Sequence, residues 1–260
     1  MDPPDLAPFA AEPERSALLF DIDGTLAPIV LDPRDAAVPG RTRSLLAQLE
    51  SRYALVACVS GRRALEARRI VGLDSILYVG NHGLERLEPG AARTVTDPAL
   101  EPLAASVRAF AQRAYEPELE ALGVRLEDKD AIWSFHWRGA PDEDAARRAL
   151  ATVAADAEHE GLVPRWGRKV LEIRPRVATD KGTAVATALD ERPLARALYA
   201  GDDTTDLDAF RKLRALEAER RIESLCVGVR SSEGPPEITR EADIVVEGPE
   251  GVAELLEALT

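Results

Sequence analysis

The sequence of 260 residues has little cysteine, no surplus of basic side chains, no apolar stretch approaching a membrane span, and no internal repeat or low-complexity tract. Each shortage excludes something. Its two cysteines, Cys58 and Cys226, sit in apolar strand-like runs, where a free thiol behaves as a small hydrophobe, so no disulfide framework is implied. With 33 lysines and arginines against 46 acids, the formal charge is −13. Phosphate-backbone binding needs a basic footprint, as does an anionic membrane surface, so nucleic acid and membrane are excluded as partners. The start, Met1-Asp2-Pro3-Pro4-Asp5, has neither the positive nor the apolar region of a secretory leader. A reducing cytoplasm is the expected compartment, and nothing marks an obligatory protein partner.

What is present suffices for a full core: 45% of the residues are hydrophobic, enough for one large domain or two unequal ones. After a Pro-rich, acidic lead-in to about residue 15, read as loose, the run Ala17-Leu18-Leu19-Phe20 suits a buried strand. Further runs at 53–59 and 76–79 alternate with helical sequence, the signature of βαβ units and a parallel sheet. The rhythm resumes after Thr179 with a strand at 197–200, a helix to about 221, strands at 225–229 and 244–246, and a terminal helix.

Between them, 84–178 reads as a smaller α+β unit inserted into the first, opening with a short strand near 84–88. Within Ile132 to Arg138, alternation puts Trp133, Phe135 and Trp137 on one face and Ser134, His136 and Arg138 on the other. The aromatic face should pack on helices, leaving the polar face open. Leu171 and Ile173 likewise oppose Glu172 and Arg174, while Trp166 has no assigned face.

The first strand ends in Asp21-Ile22-Asp23-Gly24-Thr25-Leu26. At the carboxyl end of a strand in a doubly wound sheet, acids face a ligand crevice. Two acids one residue apart allow one to attack or bind metal while the other handles protons, although Asp and Gly also favour turns for conformational reasons alone. Gly24 permits the sharp turn and Thr25 offers a hydroxyl.

Together with Ser60 of Val59-Ser60-Gly61-Arg62, Lys181 of Asp180-Lys181-Gly182, and Gly201-Asp202-Asp203-Thr204-Thr205-Asp206, this pair resembles the four ordered motifs of the haloacid-dehalogenase superfamily of phosphotransferases. The resemblance implies a doubly wound, mainly parallel Rossmann-like core at 1–83 and 179–260, with the α+β insert at 84–178 as a cap. It implies Asp21 as nucleophile, Asp23 as proton carrier, and Mg2+ held by Asp21, the Asp23 carbonyl and Asp202, the hard oxygen ligands that ion prefers. Ser60 and Lys181 would bind phosphoryl oxygens, with Thr25 and Arg62 beside them. Asp203 and Asp206 would orient neighbouring groups, and both also suit the first turn of a helix.

A narrower resemblance rests on Gly80-Asn81-His82-Gly83-Leu84-Glu85, Leu126-Glu127-Asp128-Lys129 with His136-Trp137-Arg138, and Val170-Leu171-Glu172-Ile173-Arg174-Pro175. These pieces look like those of the trehalose-6-phosphate phosphatases. That family's cap closes over the core and reads the sugar, which makes Glu127, Lys129 and Glu172 candidates for its hydroxyls. His136, Arg138 and Arg168 stand near the same crevice, with Asn81 and His82 where core meets cap. Leu207 departs from the pattern, standing where the family commonly has an acid. The expected partner is therefore a small sugar phosphate. Sucrose phosphate, another sugar phosphate, a mutase reaction and a catalytically silent sensor are the competing readings.

Overall fold

The computed structural model of the chain describes residues 6–190, 192–231 and 234–260. Met1 to Asp5, the start of the supposed lead-in, lie outside them. The chain divides into two compact units, one running up to Val95 and resuming over Thr179–Thr260, the other formed by Thr96–Ala178.

The first stretch supplies strands β1 (Ser16–Phe20), β2 (Leu55–Val59), β3 (Leu77–Gly80) and β4 (Glu85–Leu87), and helices α1 (Ala7–Ala11), α2 (Gly40–Glu50) and α3 (Ala64–Val71). The smaller unit holds β5 (Arg125–Asp128), β6 (Trp133–His136), β7 (Val163–Gly167) and β8 (Val170–Arg174), with α4 (Glu101–Ala114), α5 (Pro117–Ala121) and α6 (Glu143–His159). The chain returns with α7 (Lys181–Asp190), β9 (Arg196–Gly201), α8 (Asp206–Ala218), β10 (Glu223–Arg230), α9 (Pro236–Glu241), β11 (Ile244–Glu247) and α10 (Gly248–Leu259).

The larger unit is a seven-stranded sheet in the order β11-β10-β9-β1-β2-β3-β4. All its pairs are parallel except β3 with β4. β1 is buried at every residue because both faces are covered, as a parallel strand requires. Leu18 and Phe20 join Leu46, Ile70 and Leu256 of α2, α3 and α10, whereas Ala17 and Leu19 join Val185, Phe210 and Ile238 of α7, α8 and α9. Phe20 is in register with Cys58 and Ala200, so Asp21, Ser60 and Asp202 all leave the sheet at one edge. The strand bearing Asp21 thus lies between the other two, where the strand order reverses.

The smaller unit is an antiparallel sheet, β5-β6-β8-β7. Trp133, Phe135, Trp137, Leu171 and Ile173 pack against Val107 and Phe110 of α4 and Leu150 and Val153 of α6, as alternation predicts. Asp142 starts α6 by accepting the Ala145 N–H at 2.8 Å.

Three features differ from the sequence reading. Residues 6–15 are not loose: they form α1 and a 3-10 turn, with Phe9 buried in the core. The strand expected at 84–88 is β4, which pairs with β3 on the larger sheet, so the compact insert begins at Thr96 and not at 84. β7 was not foreseen, because Pro164, Arg165 and Gly167 break any strand pattern; an edge position accommodates them, since a proline there forfeits no ladder bond.

All three tryptophans of the chain, at 133, 137 and 166, fall in the smaller unit, so indole fluorescence follows that unit alone. Phe135→Ala, which empties a fully buried site, should destabilise it by ~3–5 kcal/mol. Urea unfolding followed by that fluorescence checks this, and an unshifted midpoint contradicts the packing described.

Candidate active site

β1 delivers Asp21 to the sheet edge with its N–H on the Ala200 carbonyl and its side chain almost out of water. Asp21 Oδ1 accepts Lys181 Nζ at 2.7 Å. Lys181 is brought there by the start of α7, which is pinned reciprocally: the Asp180 carboxylate accepts the Thr183 N–H at 2.8 Å, and the Thr183 hydroxyl oxygen accepts the Asp180 N–H at 2.9 Å. Such a cap satisfies amides that have no intrahelical partner and fixes the first turn, of which Lys181 is the first residue. Its buried ammonium also meets Asp206 Oδ1 at 2.6 Å.

Asp206 is saturated. Oδ1 takes Lys181 and the Tyr199 hydroxyl at 2.7 Å, and Oδ2 takes the backbone N–H groups of Asp202 at 3.0 Å and Asp203 at 2.9 Å. A carboxylate offers about four acceptor positions, so Asp206 is an anchor and has none left for a metal, although its oxygens lie within 4.8 Å of those of Asp21 and Asp202. The buried carboxylates of Asp21, Asp202 and Asp206 lie within 4.8 Å of one another, and Lys181 pairs with Asp21 and Asp206, which leaves an excess of negative charge that a divalent cation would offset. Asp21, Asp202 and the Asp23 carbonyl are hard oxygen donors of the kind that suits Mg2+. Burial pushes the Asp21 carboxyl well above its ordinary value; Lys181 pulls the other way, while Asp206 and Asp202 add to the rise. Against its own burial, Lys181 is raised by Asp206 and Asp21 and stays an ammonium.

Gly24 has a φ of +89°, and a Cβ there would lie 2.0 Å from Asp202 Oδ2, so only glycine turns the chain this close to the acids. Thr25 is fully buried, its hydroxyl without a hydrogen-bond partner among the described residues. Asp23 is partly exposed and gripped by Arg62, whose Nε and NH2 each donate at 2.7 Å. Arg62 also bonds the Pro33 carbonyl at 2.9 Å and pairs with Glu66. The guanidinium expected beside the substrate is therefore committed to the expected proton carrier.

Ser60 follows β2, buried, with its Oγ accepting the Arg62 N–H at 3.2 Å. Asn81 and His82 follow β3 in left-handed backbone at φ 48° and 55°. Strain of this sort costs on the order of 1–3 kcal/mol per residue and needs support. The support is visible: Asn81 N–H on the Arg62 carbonyl, His82 N–H on the Ser60 carbonyl, and Asn81 Nδ2 on Glu85 Oε1 at 2.7 Å. The His82 ring lies where a Cβ on Gly61 would come within 2.5 Å of Nε2. Leu207 packs in the apolar layer with Val185 and Phe210.

The polar face of the smaller sheet gathers a second cluster. Glu127 stands opposite Ser134, and Ser134 opposite Glu172, on three neighbouring strands. Lys129, in the tight β5–β6 turn closed by its N–H on the Ile132 carbonyl, reaches Glu172 Oε1 at 3.0 Å and Glu127 Oε2 at 3.8 Å. His136 Nε2 meets Glu127 Oε2 at 2.7 Å. Glu172 also takes the Arg174 guanidinium through Oε2. Arg138 NH2 bonds the Arg168 carbonyl at 3.4 Å beside the β7–β8 turn. Trp166 pairs across the ladder with Leu171, which places it on the face opposite Glu172, edge-on to Trp137 at 5.6 Å.

Sequence reasoning gave no role to Tyr199 or Glu85, and placed Ser134 and Arg174 on polar faces without assigning them to the site. Glu85 accepts the first amide of α3, Ala64 N–H, at 2.9 Å as well as Asn81, and only its place in the Asn81-His82 segment hinted at this. Arg174 shares a face with Glu172 by alternation. Tyr199 carried a faint signal, a hydroxyl within a buried run.

A family model described as trehalose-phosphatase matches residues 19–240. The trehalose-phosphate phosphatase of Mycobacterium marinum (strain ATCC BAA-535 / M) is 37% identical over 210 residues, 75% of this chain and 51% of that protein. That of Mycobacterium tuberculosis (strain ATCC 25618 / H37Rv) is 35% identical over 204 residues, again 75% and 51%. The chain spans about half the length of these curated relatives. Among solved structures, the C-terminal domain of C. albicans trehalose-6-phosphate phosphatase superposes with a TM-score of 0.79 at 23% identity, covering 98% of this chain and 94% of that one. A Thermoplasma acidophilum protein does so with 0.64 at 15%, covering 94% and 97%. At these identities the superpositions speak for the fold.

The buried excess of negative charge has a consequence for stability. A carboxyl with a folded-state pKa above its unfolded value binds more protons folded than unfolded between the two, so stability falls as pH rises from the unfolded value through the folded one. Asp21→Asn removes that loss. Without added metal it should be at least as stable as the parent at neutral pH, the difference shrinking below about pH 4, where the unfolded chain also binds the proton. Thermal melts across pH check this, and a variant less stable at pH 7 contradicts it.

Proposed function

The chain belongs to the trehalose-phosphatase family, and from that premise we propose that it is a Mg2+-dependent phosphatase converting trehalose 6-phosphate to trehalose and inorganic phosphate. The observation that carries the reading is the convergence of Asp21, Lys181 and Asp206 beside Asp202, from two strand ends and two helix starts. Phosphoryl transfer is chiefly a matter of positioning and charge stabilisation, and this cluster offers both.

In the proposed reaction an Asp21 oxygen attacks phosphorus, the bond to the sugar oxygen breaks, and Asp23 gives that oxygen its proton. Water then attacks the aspartyl phosphate; Asp23, now a carboxylate, takes a proton from it, and the Asp21 carboxylate leaves. Arg62 orients Asp23 and must yield one of its oxygens for each proton transfer. Lys181 and Ser60 hold phosphoryl oxygens. Mg2+, bound by Asp21, the Asp23 carbonyl and Asp202, supplies neutralisation of phosphoryl charge.

We assign sugar recognition to the smaller unit acting as the cap, through Glu127, Lys129, Glu172 and His136. Buried polar groups reject a ligand that leaves them unpaired, and this cluster is polar and partly buried, with Lys129 on Glu172 and His136 on Glu127. Asn81, His82, Arg138 and Arg168 are secondary contacts in this scheme. A cytoplasmic enzyme acting on a small soluble sugar phosphate is the physiological setting proposed; among the described residues no helix is long and apolar enough to cross a membrane.

Phosphate release from trehalose 6-phosphate, sucrose phosphate, glucose 6-phosphate and p-nitrophenyl phosphate, each with and without Mg2+, tests the reading. Trehalose 6-phosphate with Mg2+ should give the highest kcat/KM, and Asp21→Asn should abolish turnover while remaining folded. Preference for sucrose phosphate would overturn the substrate, and no turnover on any ester the activity. Lys129→Ala or Glu172→Ala should cost the disaccharide ester about tenfold or more in kcat/KM, the size of a lost charge-assisted hydrogen bond, and p-nitrophenyl phosphate far less. Equal losses on both esters would remove these residues from sugar recognition.

A further inference from the structure

We propose that Tyr199 is a positioning residue that sets, through Asp206, how the Lys181 ammonium is shared between Asp21 and the phosphoryl group; the inference rests on the phosphatase reading above.

Tyr199 lies on β9 opposite Leu19 of β1 and Cys226 of β10, fully buried among Leu19, Val185, Phe210 and Leu213. Its ring meets Phe210 edge to face, 6.1 Å between centroids at 82°. For packing alone, phenylalanine would serve as well and would bury no hydroxyl, a group costly to desolvate unless hydrogen-bonded. The hydroxyl is bonded, and to one atom: Asp206 Oδ1, the oxygen that also receives Lys181 Nζ. Burial, together with the charges of Asp206 and Asp21, pushes the phenol well above its ordinary value, so it remains a donor.

The shared oxygen makes the arrangement more than a structural bond. An ammonium has three N–H donors, of which Lys181 spends one on Asp206 and one on Asp21. Oδ2 of Asp206 is tied to the Asp202 and Asp203 amides, so the carboxylate cannot turn away from Lys181. The Tyr199 hydroxyl takes up part of what Oδ1 offers. Without it Oδ1 has Lys181 as its one donor among the described residues and draws the ammonium toward itself, away from Asp21 and from the phosphoryl oxygen that the remaining N–H would meet. The prediction concerns the charge at the reacting centre and not the affinity for sugar.

Tyr199→Phe, which deletes one oxygen, is the test, with Phe210→Leu as comparison because it damages the same packing but leaves the hydroxyl. Tyr199→Phe should keep a melting temperature close to that of the parent, lower kcat on both trehalose 6-phosphate and p-nitrophenyl phosphate by about tenfold or more, as loss of a hydrogen bond to a charged group does, and leave the preference between the two esters nearly unchanged. Phe210→Leu should melt earlier with kcat retained. Binding of inorganic phosphate in the presence of Mg2+, measured by calorimetry, should weaken in Tyr199→Phe and not in Phe210→Leu. Unchanged kcat in Tyr199→Phe, or equal kcat losses in the two variants, would overturn the proposal. Should the parent protein hydrolyse neither ester, the phosphatase reading fails; weaker phosphate binding by Tyr199→Phe would still support the positioning role, and equal binding would overturn it.

Discussion

The Lys181 ammonium, shut off from water and lying 2.7 Å from Asp21 and 2.6 Å from Asp206, is the contact on which the larger unit's chemistry hangs. Desolvating an ion pair consumes most of what its attraction returns, so such a pair persists only where geometry is close and the remaining donors and acceptors are satisfied. Each condition traces to a local cause. The Asp180–Thr183 cap fixes where α7 starts, the β1–β9 register sets Asp21 next to the β9 exit, and four donors fix Asp206.

The two units treat charge differently. In the larger, three carboxylates gather beside the single ammonium of Lys181 and leave an excess that favours a divalent cation. In the smaller, Glu127 and Glu172 are answered on the spot by Lys129, His136 and Arg174, leaving no excess of negative charge on the polar face. The chain's overall −13 therefore says little about either place. Screening confines its repulsion of an anion to about 8 Å at physiological salt, whereas Lys181 acts at contact.

How much of this the sequence disclosed follows from the range of each interaction. Asp21, Ser60 and Asp202 were legible as strand-end residues because both faces of β1 are covered and its apolar run is unbroken. Alternation placed Trp133, Phe135 and Trp137 correctly, since period two is a property of the strand itself. β7 was hidden because an edge strand tolerates Pro164 and Gly167, and the insert boundary was misplaced because antiparallel pairing of β4 with β3 is a tertiary choice. The grip of Arg62 on Asp23 and that of Tyr199 on Asp206 could not be read at all: residue type says that a guanidinium or phenol needs a partner, and only the fold says which.

The glycines beside the acids carry an implication for how such a protein diversifies. At Gly24 and Gly61 the main chain is pressed so closely against the Asp202 and His82 side chains that a Cβ would force them to move. Variation that keeps Asp202 and His82 in place is thus barred from these two positions, however permissive selection becomes. Change is less constrained on the smaller sheet, where the half-buried His136 and the exposed Arg165 share a polar face.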